Sequence, residues 1–344
     1  MPLPDPSAIL PLGLTLNFLT DTGFWVGVGV LAGIYALVAL GLQLNVGFTG
    51  MTNFGAAGFM AVGAYSMAIL VLKAGFSFWL SLPAAMLIAI GFGLLVGLPS
   101  LRLRADYFAI ATIALAEIVR IFAQNADSLT GGNQGLFCSE GGAGACYNDA
   151  WTRLSQTIEG WLQSLGWSNP DSLAPLFLAV WLFVILATLG LRFVQKAPWG
   201  RVLRAIREDE DAAKALGKNT FVYKLQSLAI AAAIGAFAGF FLALDLATIH
   251  PLDYEPIVTF FAYGVLVLGG LASYWGVLAG SVIFWAVLEG SRFINLTNPF
   301  TGKPMSEVQI ASLRFFVVGL VLILLMVFRP QGLFGKREEM VLGE

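Results

Sequence analysis

An all-α, polytopic integral membrane protein is the fold class that three features of the sequence predict. Hydrophobic residues make up 58% of the 344-residue chain and charged residues 12%, about half the charged share of an average soluble domain. The apolar residues gather into runs of about 20, the length a helix needs to cross ~30 Å of hydrocarbon. The cations are unevenly placed. Thirteen of the nineteen Lys and Arg fall at Arg102 and Arg104, between Arg192 and Lys224, or at Arg329, Lys336 and Arg337.

By the length criterion the chain holds about nine spans in one transmembrane domain over 1–344, some of them broken or re-entrant. They lie near 24–43, 46–72, 78–100, 106–124, 173–193, 222–248, 257–274, 276–293 and 309–328. Nine spans bring the three cationic places to one side, which is then cytoplasmic. The N-terminus is expected outside and the C-terminus inside. The stretch 125–172 holds Asp127, Glu140, Asp149, Glu159 and Asp171 against Arg153 alone, and is expected to be extracytoplasmic. No Lys or Arg precedes Lys73, so the first apolar span lacks the charged n-region of a cleaved signal and is expected to be retained.

The second span is unusual. Gly47, Gly50, Gly55, Gly58 and Gly63 alternate there with Asn45, Thr49, Thr52 and Asn53. Glycines allow close helix packing; they also allow broken backbone where a segment lines a cavity. The polar side chains between them favour a substrate pathway, with Asn45, Thr49, Asn53, Phe54, Gly55 and Gly58 as its candidate residues. Glu117 joins them, three residues from Arg120 on one helical face, as a local ion pair or part of a polar route. Glu289 and Arg292 repeat that spacing, while Asp245 and Arg314 have no local partner. Tyr263-Gly264, Gly269-Gly270 and Gly276-x-x-x-Gly280 echo the second span and hint at two related halves. Gly29/Gly33, Gly93/Gly97 and Gly235/Gly239 read as packing pairs, and His250 before Pro251 as an interfacial residue. In the outer loop, Cys138 and Cys146 flank a Gly-rich septet and can close a small disulfide in an oxidising exterior. Trp151, Leu154, Ile158, Trp161, Leu162 and Leu165 recur at helical spacing and predict a helix lying on membrane lipid.

The densest charge lies between Pro198 and Lys224, inside a cytoplasmic loop of 196–221. It reads as two short helices. Pro198 suits a first helical turn; Arg201, Arg204 and Arg207 share a broad face; Glu208, Asp209, Glu210 and Asp211 follow; Gly217 is a natural residue at positive φ after the second helix. Such a compact pair outside the bilayer predicts a socket for a cytoplasmic partner; a solvated loop that sets orientation through its positive charge is the alternative. Other functions have little to stand on. A net charge of −2 excludes a globally basic nucleic-acid binder, and one His with two Cys makes a metal cluster improbable. There is no phosphate-binding loop, no nucleophile–His arrangement, no cofactor motif and no Arg-rich voltage sensor.

The stretches GLQLNVGFTGMTNFGAAGFMAVGAY, LRLRADYFAIATIALAEIVR, SLTGGNQG, GRVLRAIREDEDAAKALG, LGGLASYWGVLAG and FRPQGLFG together resemble the M-type permease subunits of bacterial ABC importers for branched-chain and other hydrophobic amino acids. The resemblance implies a permease without enzymatic activity in the inner membrane, working with a related second permease, two cytoplasmic ATP-binding subunits and an external substrate-binding protein. It places the coupling element on Arg201–Gly217. Asp211 through Gly217 is similar to the importers' acid-Ala-Ala pattern, with Asp for Glu and without the I-x-L-P end. The cysteine insertion also departs from common members. A urea or short-amide importer permease is the related alternative; an ion-coupled secondary carrier is the unrelated one, and would require buried carboxylates and no docking loop.

Overall fold

A computed structural model describes residues 21–137, 146–167, 171–271, 273–291, 307–328 and 332–334. The described residues are helical almost throughout. The long helices are α1 (Thr22–Leu42), α2 (Ala56–Leu72), α3 (Phe78–Ser100) and α4 (Ala105–Asn125). After a short α5 (Asp127–Thr130) come α6 (Asp149–Ser164), α7 (Ala174–Lys196), the paired short helices α8 (Pro198–Glu208) and α9 (Glu210–Ala215), and α10 (Thr220–Leu246). The last are α11 (Pro256–Gly269), α12 (Tyr274–Gly290) and α13 (Glu307–Phe328). Among the described residues four helices are long and apolar enough to cross a membrane, or five if α11 and α12, bent by 118° at their junction, form one span.

Two departures from the nine expected runs have a common cause, helix breaks at glycine. The first helix does not stop near residue 43. It continues as a π-helical segment, Gln43–Phe48, and the chain then leaves helical geometry until Ala56. Gly50, at φ +73°, makes the turn, and the Met51 N–H closes it on the Asn45 carbonyl at 2.8 Å. That break shortens α2 to 17 residues. The second break follows Gly269. Gly270 sits at φ +106°, leaving α11 with 14 residues, about 21 Å of helix at 1.5 Å per residue, short of the ~30 Å of a hydrocarbon core.

The centre of the molecule is α1 and α10. Packing on α1 are α7, α10, α11 and α12, and on α10 are α1, α2 and α3. Both central helices are apolar around most of their circumference, as a helix buried on all sides must be. Close approach is what the packing glycines provide. A Cβ at Gly239 would lie 2.0 Å from the Met60 carbonyl oxygen, and one at Gly63 2.4 Å from the Ala236 Cα. There α2 and α10 touch backbone to backbone. Overpacking a core costs about 1–3 kcal/mol even where side chains can yield, and here backbone must move. Gly239→Val is therefore expected to lower the thermal midpoint of the detergent-purified protein and its yield. Gly190→Val, where a Cβ meets nothing within 4 Å, should change neither.

At the end of the bundle where α4 stops and α7 starts, the connections are stitched together. Leu136–Phe137 (β1) pairs antiparallel with Thr248–Ile249 (β2). The Tyr147 hydroxyl donates to the Ala243 carbonyl at 2.9 Å and the Tyr65 hydroxyl to that of Ile249 at 3.3 Å. His250 caps the turn Pro251–Tyr254 in a capping box with Asp253, a structural role at this edge. Cys146 is disulfide-bonded, and Cys138, the one other cysteine in the sequence, lies outside the described residues, as does Arg292. Helix α6 forms where its periodicity predicts, with one correction. Trp151 and Leu162 are buried, with Leu154 beside them, whereas Trp161 and Leu165 are exposed. The helix uses one face to pack on α7 and leaves only part of its apolar set outward.

Candidate functional site

The segment between α7 and α10 folds as two helices with Pro198 in the first turn of α8. Their junction is Asp209. Its carboxylate caps α9 by accepting from the N–H groups of Asp211 and Ala212, both at 2.9 Å. Gly217, at φ +76°, ends α9 in a Schellman arrangement: its own N–H reaches the Lys214 carbonyl at 2.9 Å, and the Lys218 N–H reaches that of Ala213 at 3.1 Å. The Glu210 carboxylate is bound by the Lys224 ammonium and, at 3.0 Å, by the Thr220 hydroxyl. Partial burial pushes its pKa up, but these partners outweigh burial and hold it below the usual carboxylate range. A depressed folded pKa stabilises above the unfolded value and is lost as pH falls through the depressed one. This lock on α10 thus holds at neutral pH and opens only as pH falls below the ordinary carboxylate range.

The three arginines of α8 do not act alike, which corrects their grouping on one docking face. Arg201 and Arg204 are exposed and Arg207 is half-buried. The seam Gly200, Leu203 and Ile206 faces inward, and Arg207 turns in beside it. Its guanidinium donates to the Gly47 carbonyl, and its Cγ would lie 3.3 Å from a Cβ at Gly50. Arg204 stands over the Phe48 ring at 5.9 Å, a cation–π arrangement. Phe48 in turn packs on Tyr274, centroids 5.5 Å apart, at the first residue of α12. At the next residue of α12, Arg192 of α7 stands over the Trp275 ring at 4.9 Å. The two glycine breaks therefore meet directly beneath α8. The segment after α13 joins them: the Leu333 and Phe334 N–H groups donate to the Leu268 and Gly269 carbonyls at 2.9 and 3.1 Å.

The candidate pathway residues divide into two groups along the first break. Near α8, the Ser227 hydroxyl donates to Asn45 Oδ1 at 2.9 Å and lies 3.0 Å from that of Thr49. Deeper in, the Asn53 carbonyl accepts from the Tyr263 hydroxyl at 2.9 Å, and its side-chain oxygen from the Gly55 N–H at 2.8 Å. The Phe54 N–H donates to Thr112 Oγ1 at 3.0 Å, and the Phe54 ring packs against Tyr263 and Phe260. Hydroxyls of α4 and α11 thus satisfy backbone that the break leaves without helical partners, as buried backbone requires, while Ser227 of α10 holds the Asn45 and Thr49 side chains. Asn45, Thr49 and Asn53 are buried within this chain rather than lining an open cavity. Asn45 Nδ2 and Asn53 Nδ2 are buried donors with no hydrogen-bond partner among the described residues. Gly55 and Gly58 are packing positions, each a close approach to α4 at Thr112 and Ala116. Glu117 pairs with Arg120, whose Nε donates to Glu117 Oε2 at 2.9 Å.

Sequence reasoning missed Ser227, Thr112 and Thr259, whose hydroxyl accepts from the Ala57 N–H at 3.0 Å. Each is a lone small hydroxyl in an apolar helix, a readable signal without an address. It also missed Leu216, 79% exposed beside Ala212 and Ala215. A leucine so exposed at the end of a short helix is an apolar knob.

A family model described as "Branched-chain amino acid transport system / permease component" matches residues 25–326. The chain is 32% identical over 331 residues to the high-affinity branched-chain amino acid transport system permease protein LivM of Escherichia coli K12, covering 95% of this chain and 73% of that protein. It is 26% identical over 343 residues to a probable LivM of Methanocaldococcus jannaschii, covering 89% and 91%. It is also 27% identical over 259 residues to the E. coli K12 permease protein LivH, covering 73% and 79%.

Proposed function

Because the chain belongs to the branched-chain amino acid transport permease family, we propose that it moves branched-chain and other neutral, hydrophobic amino acids through the inner membrane as half of an ATP-driven importer. It is a multi-pass permease component and not an enzyme. A LivH-like second permease forms the other half. Of two ATP-binding subunits, one docks on α8 and α9 of this chain, and a substrate-binding protein delivers cargo on the opposite side. The clustering of Arg102, Arg104 and the cations from Arg192 to Lys224 at one end of the helices supports nine spans with that end cytoplasmic, the N-terminus outside and the C-terminus inside. The loop 125–172 is then extracytoplasmic, where Cys146 pairs with Cys138.

The observation that carries this reading is the seat of α8 on both helix breaks, through Arg207 to Gly47 and through Arg204 and Phe48 to Tyr274. When ATP draws the two ATP-binding subunits together, α9 moves with the subunit it docks on, and α8 with α9. Glycine breaks yield at low cost, so the displacement goes into the 47–55 segment and reorders the Asn45–Thr49–Ser227 and Asn53–Tyr263 groups. The spare amide donors of Asn45 and Asn53 are available to a passing carboxylate or its water. Proteoliposomes with the whole complex and loaded binding protein test it. Leucine or valine uptake should require internal ATP and survive an ionophore. Uptake collapsed by the ionophore, or of urea but not leucine, contradicts it.

A further inference from the structure

We infer that the face formed by the exposed sides of α4 and α11 is the surface on which the related second permease packs. The inference rests on the permease reading above and adds which face of the molecule meets its counterpart.

Successive α-helical residues turn by about 100°, which divides α4 into distinct faces. Phe108, Thr112, Ala116 and Ala123 are buried, and this seam meets α2 at Gly55 and Gly58. Asp106, Glu117, Arg120 and Gln124 fall together on one flank. That flank turns toward α11: Glu255, the N-cap of α11, lies within electrostatic reach of Arg120, and Phe54 bridges Thr112 to Phe260 and Tyr263. The rim beside it is apolar and open. Ile110 and Ile121 on α4, and Ile257 and Phe260 on α11, are all exposed.

Neither hydrocarbon nor water suits this combination. A side-chain ion pair facing lipid is costly, and the exposed faces of α3 and α7 show what the chain presents to lipid instead. Leu87, Leu95, Leu182 and Leu186 are exposed there, with no ionisable residue in α3 and those of α7 confined to its last turns. Water would cover the polar flank but not a rim of four large apolar side chains. A protein surface of the same construction satisfies both. Two related folds meeting through equivalent faces form a pseudo-twofold pair, enclosing two polar flanks in one crevice sealed by apolar rims. The occupant is the second permease rather than a second copy of this chain, because the chain is similar to two differently named permeases of one organism.

The test is photo-crosslinking in the purified complete importer. p-Benzoylphenylalanine is placed at Ile121 or Phe260, and at Leu186 as the lipid-facing control, with ATP-driven leucine uptake confirming that each complex is intact. Adducts with the second permease are expected at Ile121 and Phe260, and lipid adducts alone at Leu186. If an insertion prevents assembly, Ile121→Cys or Phe260→Cys with a maleimide benzophenone gives the same readout. Lipid adducts alone at both positions would overturn the inference while leaving the permease reading intact, and so would adducts joining two copies of this chain. Loss of leucine uptake by the unmodified complex is the separate result that removes the reading beneath it.

Discussion

Arg207→Ala should assemble, insert and bind its ATP-binding subunits, yet lose leucine uptake by about tenfold or more. The Gly47 carbonyl is buried and accepts from this guanidinium. Removing the donor leaves a buried acceptor at the point where α8 meets the break, a cost of about 1–3 kcal/mol. A tenfold change corresponds to about 1.4 kcal/mol, so one such contact suffices to redistribute two states of a permease. The aliphatic stem counts too, because it packs against Gly50. Arg207→Lys keeps the charge and loses the planar fork, and should recover only part of the uptake. Arg201→Ala, an exposed residue of the same helix, should lose far less. The measurement is uptake and ATP hydrolysis in proteoliposomes, on complexes first shown intact by size-exclusion chromatography.

Leu216→Glu should fail one step earlier. Full burial of a leucine against a partner is worth about 1.5–3 kcal/mol, and a charge at the same place adds a desolvation cost. Affinity of the ATP-binding subunits for the permease pair should fall by about tenfold to a hundredfold, read directly by titration in detergent. Gly217→Val tests the same tip by another route. Nothing lies within 4 Å of a Cβ there, so no clash arises and the cost is the positive φ alone, about 1–2 kcal/mol. That strain loosens the end of α9 and should lower stimulation of ATP hydrolysis by loaded binding protein more than it lowers docking. Both variants behaving as wild type would reduce α9 to a loop that only sets topology.

Local chemistry accounts for what the sequence made legible. Pro198 and Gly217 mark the ends of a helix pair because each acts through its own backbone, and both sit where their chemistry predicts. The ion pair of Glu117 and Arg120 was readable because three residues along a helix bring side chains together. What stayed hidden depends on distant residues. Arg207 reaches Gly47 across 160 positions, and no periodicity in α8 distinguishes it from Arg201 and Arg204. The glycine-rich second span announced a break but not its course, since hydropathy is blind to whether a segment continues as π-helix or turns. The pathway residues were chosen for being polar among glycines. The structure assigns Gly55 and Gly58 to packing and gathers Asn45, Thr49 and Asn53 with partners from α10 and α11 that the local pattern could not name.

Access to the first break under the control of α8 is the most direct test. In the reconstituted complex, with Cys138→Ser and Cys146→Ser as background, Asn53→Cys is modified by a small aqueous thiol reagent with and without ATP. The expected result is a reaction rate that changes severalfold with ATP when Arg207 is present and does not respond when Arg207→Ala is added. An ATP response of equal size in both backgrounds would contradict the proposed connection from α8 to the break. Protection of Asn53→Cys in every state would remove the substrate route from this segment altogether.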